Sequence, residues 1–218
     1  MNKNSKLNLY LAIGFLFSFL VLTILVCFVD VKVVGPNEAN VGLASINLYF
    51  HKITGENMML YLITDWLGLV PVFIVIGFAI FGLAQWINRK RLLKVDCDIL
   101  VLGGFYLIVF LLYFLFETFV INYRPVLING FLEVSYPSST TLFVLCVIPT
   151  AIMQFTLRIK NIALKKFISI VLSLFAAFMV IARFVSGVHW FTDIIGGIFL
   201  SLSLVLFYRY VITSLSNK

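Results

Sequence analysis

The chain alternates between long apolar stretches and short polar segments. Six stretches contain few charged residues, at positions 8–29, 59–87, 99–121, 140–157, 167–185 and 190–213. A helix needs about 20 mainly apolar residues to cross the hydrocarbon core of a bilayer. The pattern therefore predicts an all-α polytopic membrane protein in which six transmembrane helices form one bundle.

The composition supports the same class. Hydrophobic residues make up 62% of the 218 residues, whereas soluble domains usually have about 45–50%. No linker rich in proline, glycine or serine divides the chain, so we expect one membrane-embedded domain over residues 1–218. The first stretch is too long for the core of a signal peptide and no small-residue cleavage site follows it, so we expect a retained helix.

The distribution of basic residues predicts the orientation in the membrane. Lysine and arginine accumulate on cytoplasmic loops, and twelve of the sixteen basic residues lie on one side of a six-span layout. We therefore expect a plasma-membrane protein with both termini in the cytoplasm. No basic run alternates with aromatic residues, so the net charge of +7 does not predict a nucleic-acid partner. The four basic residues expected outside are Lys32, Lys52, Arg124 and Arg183.

Two long segments lie on the predicted outer side. Within residues 30–58, the stretch NVGLASINLYFHKI has a weak amphipathic pattern that predicts an interfacial helix. In the segment between spans three and four, Arg124-Pro125 should leave the helix, because proline disfavours helical geometry at the residue before it. Asn129-Gly130 then predicts a turn, and Pro137-Ser138 resembles the start of the fourth span, with a serine able to cap it.

The stretch ARFVSGVHWFTD, residues 182–193, concentrates ionisable side chains at the outer ends of spans five and six. His189 and Asp193 are four residues apart on a predicted helix and therefore share a face, where a carboxylate can hold the imidazole in one tautomer. Arg183 closes span five and Arg124 arrives from the neighbouring outer segment. Two guanidinium groups form a forked site suited to phosphate oxygens. Because ionisable groups at membrane depth are costly and tend to be functional, this grouping predicts an active site.

These motifs resemble the signature of the type 2 phosphatidic acid phosphatase superfamily, whose members are membrane lipid phosphatases. That signature has a lysine separated from Arg-Pro by six residues, then Pro-Ser-Gly-His, then Ser-Arg, five residues, His, three residues and Asp. The matching segments are ETFVINYRP at 117–125, PSST at 137–140 and ARFVSGVHWFTD at 182–193. The layout of six helices, with the motifs at the outer ends of spans three to six, is also similar.

The resemblance implies roles for individual residues. His189 would attack phosphorus and form a phosphohistidine, and Asp193 would orient it. Arg124 and Arg183 would clamp the phosphate, and the segment Ser138–Thr140 would contribute to substrate binding. The resemblance also implies a lipid phosphate or diphosphate substrate at the outer leaflet, with an isoprenoid diphosphate carrier as one candidate. We expect no metal or other cofactor, because two arginines and helix dipoles can carry the charge.

Three positions depart from the signature. Glu117 replaces the lysine, Thr140 replaces the histidine that protonates the leaving group, and Ala182 replaces the serine. A general acid is worth about 10²–10⁴ in rate, and no histidine can supply it unless His51 folds back from the long outer loop. A phosphate leaving group has a second pKa of about 6 and departs largely unprotonated. The sequence therefore predicts a preference for lipid diphosphates over monoesters.

Two acidic residues near the predicted site have open roles. Glu117 either forms a salt bridge with one of the arginines, which we favour, or acts as a substitute acid whose pKa is raised by burial. Asp65, in the second span, either supports the site as a buried, hydrogen-bonded residue, which we favour, or takes part in catalysis directly. Both lie near the outer end of a span.

Two further hypotheses stand beside a lipid phosphatase. A catalytically impaired member of the family that binds or moves phospholipids would explain why Thr140 and Glu117 replace signature residues. A purely structural membrane subunit would leave the grouping of arginines, histidine and aspartate unexplained. Hydrolysis of a panel of lipid phosphates distinguishes the first of these from an active phosphatase.

Overall fold

The computed structural model describes residues 3–215, which form ten helices and strands. The helices are α1 (Lys3–Phe28), α2 (Ala44–Thr54), α3 (Met58–Leu67), α4 (Leu69–Arg89), α5 (Cys97–Thr118), α6 (Ser139–Arg158), α7 (Ile162–Val185) and α8 (Phe191–Leu215). Two short antiparallel strands, β1 (Lys32–Val33) and β2 (Asn40–Val41), lie between α1 and α2.

Six helical segments are long and apolar enough to cross a membrane, which confirms the predicted six-helix membrane fold. They are Ser5–Phe28, Met58–Arg89, Cys97–Thr118, Ser139–Arg158, Ile162–Val185 and Phe191–Leu215. The second segment is not one uninterrupted helix, because α3 ends and α4 begins at Gly68. Pro71 explains the interruption, since it has no N–H to donate to the carbonyl of Leu67, four residues earlier.

Helices α6 and α8 occupy the centre of the bundle. About half of the residues in each of these segments are buried, a larger share than in the other four. Helix α1 packs along α8, and α6 packs against both α7 and α8. At one end of the bundle, Arg158 of α6 pairs with Asp98 of α5 at 2.7 Å, and Gln154 donates to the Tyr208 hydroxyl of α8 at 2.6 Å. These contacts fix three helices at the end opposite the predicted site.

The segment before α6 is anchored in the core by one aromatic side chain. Tyr136 is fully buried, and its hydroxyl lies 2.8 Å from the Thr23 hydroxyl of α1. Its ring fills the space beside Gly196 of α8, where an added Cβ atom would lie 2.8 Å from the ring. This anchor fixes the position of the residues on both sides of Tyr136, which belong to the candidate site.

Helix α2 covers the end of the bundle where α8 begins. The helix predicted in this segment is present and packs on α8, and its place at the membrane interface stays a prediction. Asn47 is fully buried and accepts a hydrogen bond from the Thr192 N–H at 3.1 Å, which satisfies one of the free amides at the start of α8. Phe50 stacks on Phe191 with ring centroids 4.1 Å apart.

The turn between α7 and α8 rests directly on the turn between α2 and α3. Gly187 has a positive φ of 68°, and an added Cβ atom would lie 1.7 Å from the carbonyl oxygen of Gly55. The N–H of Asn57 donates to the carbonyl of Ser186 at 2.9 Å. The backbones of these two turns therefore meet without a side chain between them.

We expect Gly187→Ala to destabilise the protein by more than the about 1–2 kcal/mol that a left-handed conformation costs a residue with a Cβ atom. The additional loss comes from the clash with Gly55. Thermal unfolding in detergent measures the effect. Gly14→Ala is the matched control, since a Cβ atom there meets nothing within 4 Å, and a helical alanine is favoured over glycine. Equal stability of the two variants would contradict this contact.

Candidate active site

A polar cavity of about 710 Å³ opens at the end of the bundle opposite the pair of Arg158 and Asp98. Its wall is formed by α3, by the first turns of α4 and α6, by the last turns of α5 and α7, and by the segment 119–138. Between its apolar residues, the wall carries the polar side chains of Tyr61, Asp65, Tyr113, Glu117, Arg124, Glu133, Ser139, Thr140 and Arg183. Five of the eight residues predicted for the site therefore line one cavity.

Arg183 is held by α3 in a buried position. Its side chain is 2% exposed, and Nη1 donates to the Thr64 hydroxyl at 3.0 Å and to the Tyr61 carbonyl at 3.3 Å. Nη2 lies 3.4 Å from the Asp65 carboxylate. Nε is buried and has no hydrogen-bond partner. Both terminal nitrogen atoms of this guanidinium thus have partners in the protein, whereas Nε is left for a ligand.

Arg124 approaches the same place from the segment between α5 and α6. Nη2 lies 3.1 Å from the Glu133 carboxylate, and Nε donates to the Val134 carbonyl at 3.4 Å. Nη1 is buried without a partner. The guanidinium carbon atoms of Arg124 and Arg183 lie 5.6 and 4.6 Å from the centre of the Tyr61 ring. One aromatic ring therefore contacts both cations, which favours their close approach.

His189 is buried beside the cavity, in the turn before α8. Its side chain is 1% exposed, and Nδ1 lies 3.1 Å from the Ser135 hydroxyl oxygen and 3.6 Å from the Asp193 carboxylate. The Ser135 hydroxyl donates to the same Asp193 oxygen, which also accepts the Trp190 N–H at 2.8 Å. Because the hydroxyl proton goes to Asp193, Nδ1 must donate to Ser135. Nε2 is then the unprotonated nitrogen, and it has no partner.

The surroundings keep the His189 ring neutral. Burial lowers the pKa of His189 well below its usual value, and the positive charges of Arg124 and Arg183 lower it further. Only the neutral ring offers a lone pair on Nε2. The arrangement leaves an unprotonated ring nitrogen in the electrostatic field of two cations.

Ser138 caps α6, as the Pro137-Ser138 pair predicted, and it does not face the cavity. It is fully buried as the N-cap of α6, where its hydroxyl accepts the Thr141 N–H at 3.5 Å and its own N–H donates to the Asp193 carbonyl at 3.0 Å. Its side chain does not line the cavity, whereas those of Ser139 and Thr140 do. The serine that caps the helix is therefore a weaker candidate for phosphate binding than its two neighbours.

The favoured roles of Glu117 and Asp65 need correction, and the open possibility for His51 is decided. Glu117 lines the cavity but forms no ion pair within residues 3–215, because Arg124 pairs with Glu133 and Arg183 pairs with Asp65. Asp65 supports Arg183 as expected, but its side chain is 57% exposed rather than buried. His51 does not reach the cavity. Its ring packs against Trp190, with centroids 5.5 Å apart.

Four residues that shape the site were not predicted from the sequence, namely Ser135, Tyr61, Thr64 and Glu133. The position of Glu133 depends on a strand pairing in which the Arg124 N–H donates to the Glu133 carbonyl. Ser135 carried one usable signal, since it precedes the Tyr136-Pro137 pair that leads into the second motif. Tyr61 and Thr64 lie in an apolar stretch, where nothing in the sequence distinguishes them from residues that face lipid.

Comparisons with known proteins identify a family and a similar fold. A family model described as the PAP2 superfamily matches residues 99–216. The fold is similar to the crystal structure of a protein described as the first transmembrane PAP2 type phosphatidylglycerolphosphate phosphatase from Bacillus subtilis, with a TM-score of 0.60. The two chains are 21% identical over 96% of this chain and 98% of that one. No curated protein matches the chain in sequence.

We expect the imidazole of His189 to be neutral at pH 6 with its proton on Nδ1. Ser135→Ala should reduce the share of this tautomer, because the direct distance from Nδ1 to Asp193 is 3.6 Å, too long for a hydrogen bond. Ser135→Thr should retain it. Nitrogen NMR of histidine-labelled protein measures both variants, and the other histidine, His51, provides the internal control. A proton found on Nε2 in the parent would refute this assignment.

Proposed function

The chain belongs to the PAP2 superfamily of membrane lipid phosphatases, and we propose that it hydrolyses a lipid phosphate or isoprenoid diphosphate through a phosphohistidine on His189. The observation that carries this proposal is a set of three buried nitrogen atoms without partners. They are Nε2 of His189, Nη1 of Arg124 and Nε of Arg183. Buried donors and acceptors normally have partners, and a bound phosphate would supply them with oxygen atoms and an electrophilic phosphorus.

Each residue has a definite task in this reaction. The phosphate binds between Arg124 and Arg183, whose charges stabilise the transition state. The first N–H groups of α6, at Ser139 and Thr140, have no partner within the helix and favour an anion. Nε2 of His189 then attacks phosphorus, the bond to the leaving oxygen breaks, and a water molecule later hydrolyses the phosphohistidine. Asp193 orients the ring and stabilises its cationic form.

The leaving group decides which substrates react easily. Thr140 lines the cavity where the family signature has its acid, and a threonine hydroxyl is too weak an acid to deliver a proton near neutral pH. A diphosphate lipid expels a phosphate, which needs little help. We therefore propose a lipid diphosphate as the preferred substrate.

An apolar groove provides room for the hydrocarbon part of such a lipid. It has a volume of about 570 Å³, lies between α4 and α5, and shares Phe110 with the polar cavity. A headgroup bound by the arginines could therefore leave its chain in contact with the membrane-facing side of α4 and α5. This continuity supports a lipid rather than a small soluble phosphate.

We further propose that the active site faces the outside of the plasma membrane and that the whole chain acts as one domain. The outer orientation is supported by the twelve basic residues at the opposite end. The single domain is supported by Tyr61 and Asp65, which lie outside the region matched by the family model yet hold Arg183 in the cavity.

A lipid-binding protein without turnover is the second candidate. The observation in its favour is that neither histidine of the chain lines the cavity. Nε2 of His189 is buried, so surrounding side chains must shift before a phosphate can reach it. Binding of a lipid phosphate without release of inorganic phosphate would decide for this candidate.

We expect His189→Ala to reduce hydrolysis of an isoprenoid diphosphate by at least about 10³-fold, because loss of a nucleophile removes the covalent pathway. Rapid acid-free quenching with radiolabelled substrate should trap a phosphorylated protein in the parent and none in the variant. His51→Ala is the matched control, since this histidine packs on Trp190 outside the cavity, and it should retain activity. Undiminished hydrolysis by His189→Ala would refute the nucleophile.

We expect single cysteines at Lys52 and Lys90 to label from opposite sides of the membrane. Both side chains are exposed, the first on α2 and the second just after α4. In a background where Cys27, Cys97 and Cys146 are replaced by alanine, an impermeant maleimide added to intact cells should modify Lys52→Cys only. Labelling of Lys90→Cys alone would reverse the proposed orientation.

A further inference from the structure

Three carboxylates line the polar cavity, and they differ in their partners. Asp65 lies 3.4 Å from Arg183 and Glu133 lies 3.1 Å from Arg124. Glu117 has no cationic partner within the part of the chain that the structure describes. A carboxylate held by an arginine remains ionised, whereas one without a cation can carry a proton beside a bound anion. Glu117 is therefore the carboxylate of this wall suited to donate one.

The position of Glu117 brings it to the start of α6. It lies in the last turn of α5, one turn after Tyr113, and lines the cavity together with Ser139 and Thr140. It also lines a narrow cleft that continues from the cavity towards Ser135. The side chain thus faces the region between the arginine clamp and the N-terminus of α6, where a leaving oxygen would separate from phosphorus.

We propose that Glu117 is the general acid of this site and that it extends the substrates to phosphomonoester lipids. The proposal rests on the proposed phosphatase function. Its physical basis is that an alkoxide leaving group requires a proton, and Thr140 cannot supply it. A glutamic acid on the same wall can supply it, provided that the phosphate binds with its ester oxygen towards α5.

The proton balance of the reaction is complete with Glu117 alone. Nε2 of His189 forms a bond to phosphorus while the bond between phosphorus and the ester oxygen breaks. That oxygen takes the proton of Glu117 and leaves as a lipid alcohol. Water then attacks the phosphohistidine, gives one proton to the Glu117 carboxylate, and releases inorganic phosphate. Glu117 is protonated again and His189 is neutral again, as at the start.

A counterion role for Glu117 makes a different prediction. An ionised carboxylate facing the site would repel every phosphate, so its removal would tighten the binding of all substrates equally and lower KM. A general acid acts in the chemical step, so its removal lowers kcat for substrates with poor leaving groups. The two roles therefore separate by kinetic parameter and by substrate class.

The surroundings of Glu117 determine how its protonation responds to pH. The titratable and charged groups that share its cavity are Tyr113 of α5, Arg124 and Glu133 of the 119–138 segment, Tyr61 and Asp65 of α3, and Arg183 of α7. Helix α6 contributes the hydroxyls of Ser139 and Thr140. A bound phosphate adds negative charge and favours the protonated form of Glu117. Turnover of a monoester should decline on the alkaline side as this proton is lost.

The test compares phosphatidic acid with farnesyl diphosphate in detergent micelles. Glu117→Gln should lower kcat for phosphatidic acid by about 10²–10⁴-fold, lower that for the diphosphate by less than about 10-fold, and remove the alkaline decline for the monoester. Thr140→His combined with Glu117→Gln should restore monoester turnover, because it returns an acid to the same wall. Thr118→Ala is the matched control on the same turn and should change neither rate, since its hydroxyl bonds only to the Phe114 carbonyl of its own helix.

Three results would overturn the proposal. They are an equal loss for both substrates in Glu117→Gln, a lower KM for both with kcat unchanged, and a parent that hydrolyses the diphosphate but no monoester. In each case, loss of diphosphate hydrolysis in His189→Ala would leave the phosphatase function standing. A parent that hydrolyses neither substrate would reject the proposed function itself.

Discussion

The burial of two guanidinium groups against one tyrosine ring is the constraint on which the end of the bundle around the cavity depends. Arg124 and Arg183 are 7% and 2% exposed, and burying a cation without compensation costs several kcal/mol. Helix α3 and the 119–138 segment supply that compensation through Tyr61, Asp65 and Glu133. The compensation is incomplete, because each arginine keeps one buried nitrogen without a partner. We propose that these unpartnered nitrogen atoms favour an anionic ligand.

The same constraint explains why His189 requires a hydroxyl between it and Asp193. Two neighbouring cations disfavour protonation of the ring, so a proton-sharing contact on Nδ1 has to hold the neutral form in one tautomer. Ser135 can do this because Tyr136, the next residue, is fixed in the core against α1 and α8. The contact of Tyr136 with α1, more than 100 residues earlier in the chain, thus determines which nitrogen of the His189 ring lacks a proton. Neighbouring residues of this segment thus serve two purposes, since Tyr136 anchors it in the core and Ser135 contacts His189.

The sequence predicted the six spans well, because bilayer thickness sets their length independently of tertiary contacts. It also predicted that the motifs lie together at one end of the bundle, since each motif adjoins the boundary of a predicted span. The partners of the arginines could not be predicted. Counting outward symmetrically from the Asn129-Gly130 turn pairs residue 126 with Glu133, whereas the structure pairs Arg124 with it. Because this shift of two residues places Glu133 beside Arg124, Glu117, the partner expected from the sequence, has no ion pair within residues 3–215.

Two of the three departures from the family signature, at positions 117 and 140, are better understood together than separately. A threonine at position 140 removes a proton donor from α6, and a glutamate at position 117 introduces a titratable group on α5. Considered alone, the first change argues for lost activity and the second for weaker phosphate binding. Because both residues line one cavity and the arginines already have other carboxylates, the second change can compensate for the first. A phosphate site can keep its nucleophile and its cations in place while its acid moves to the facing helix, since proton transfer requires only contact with the leaving oxygen.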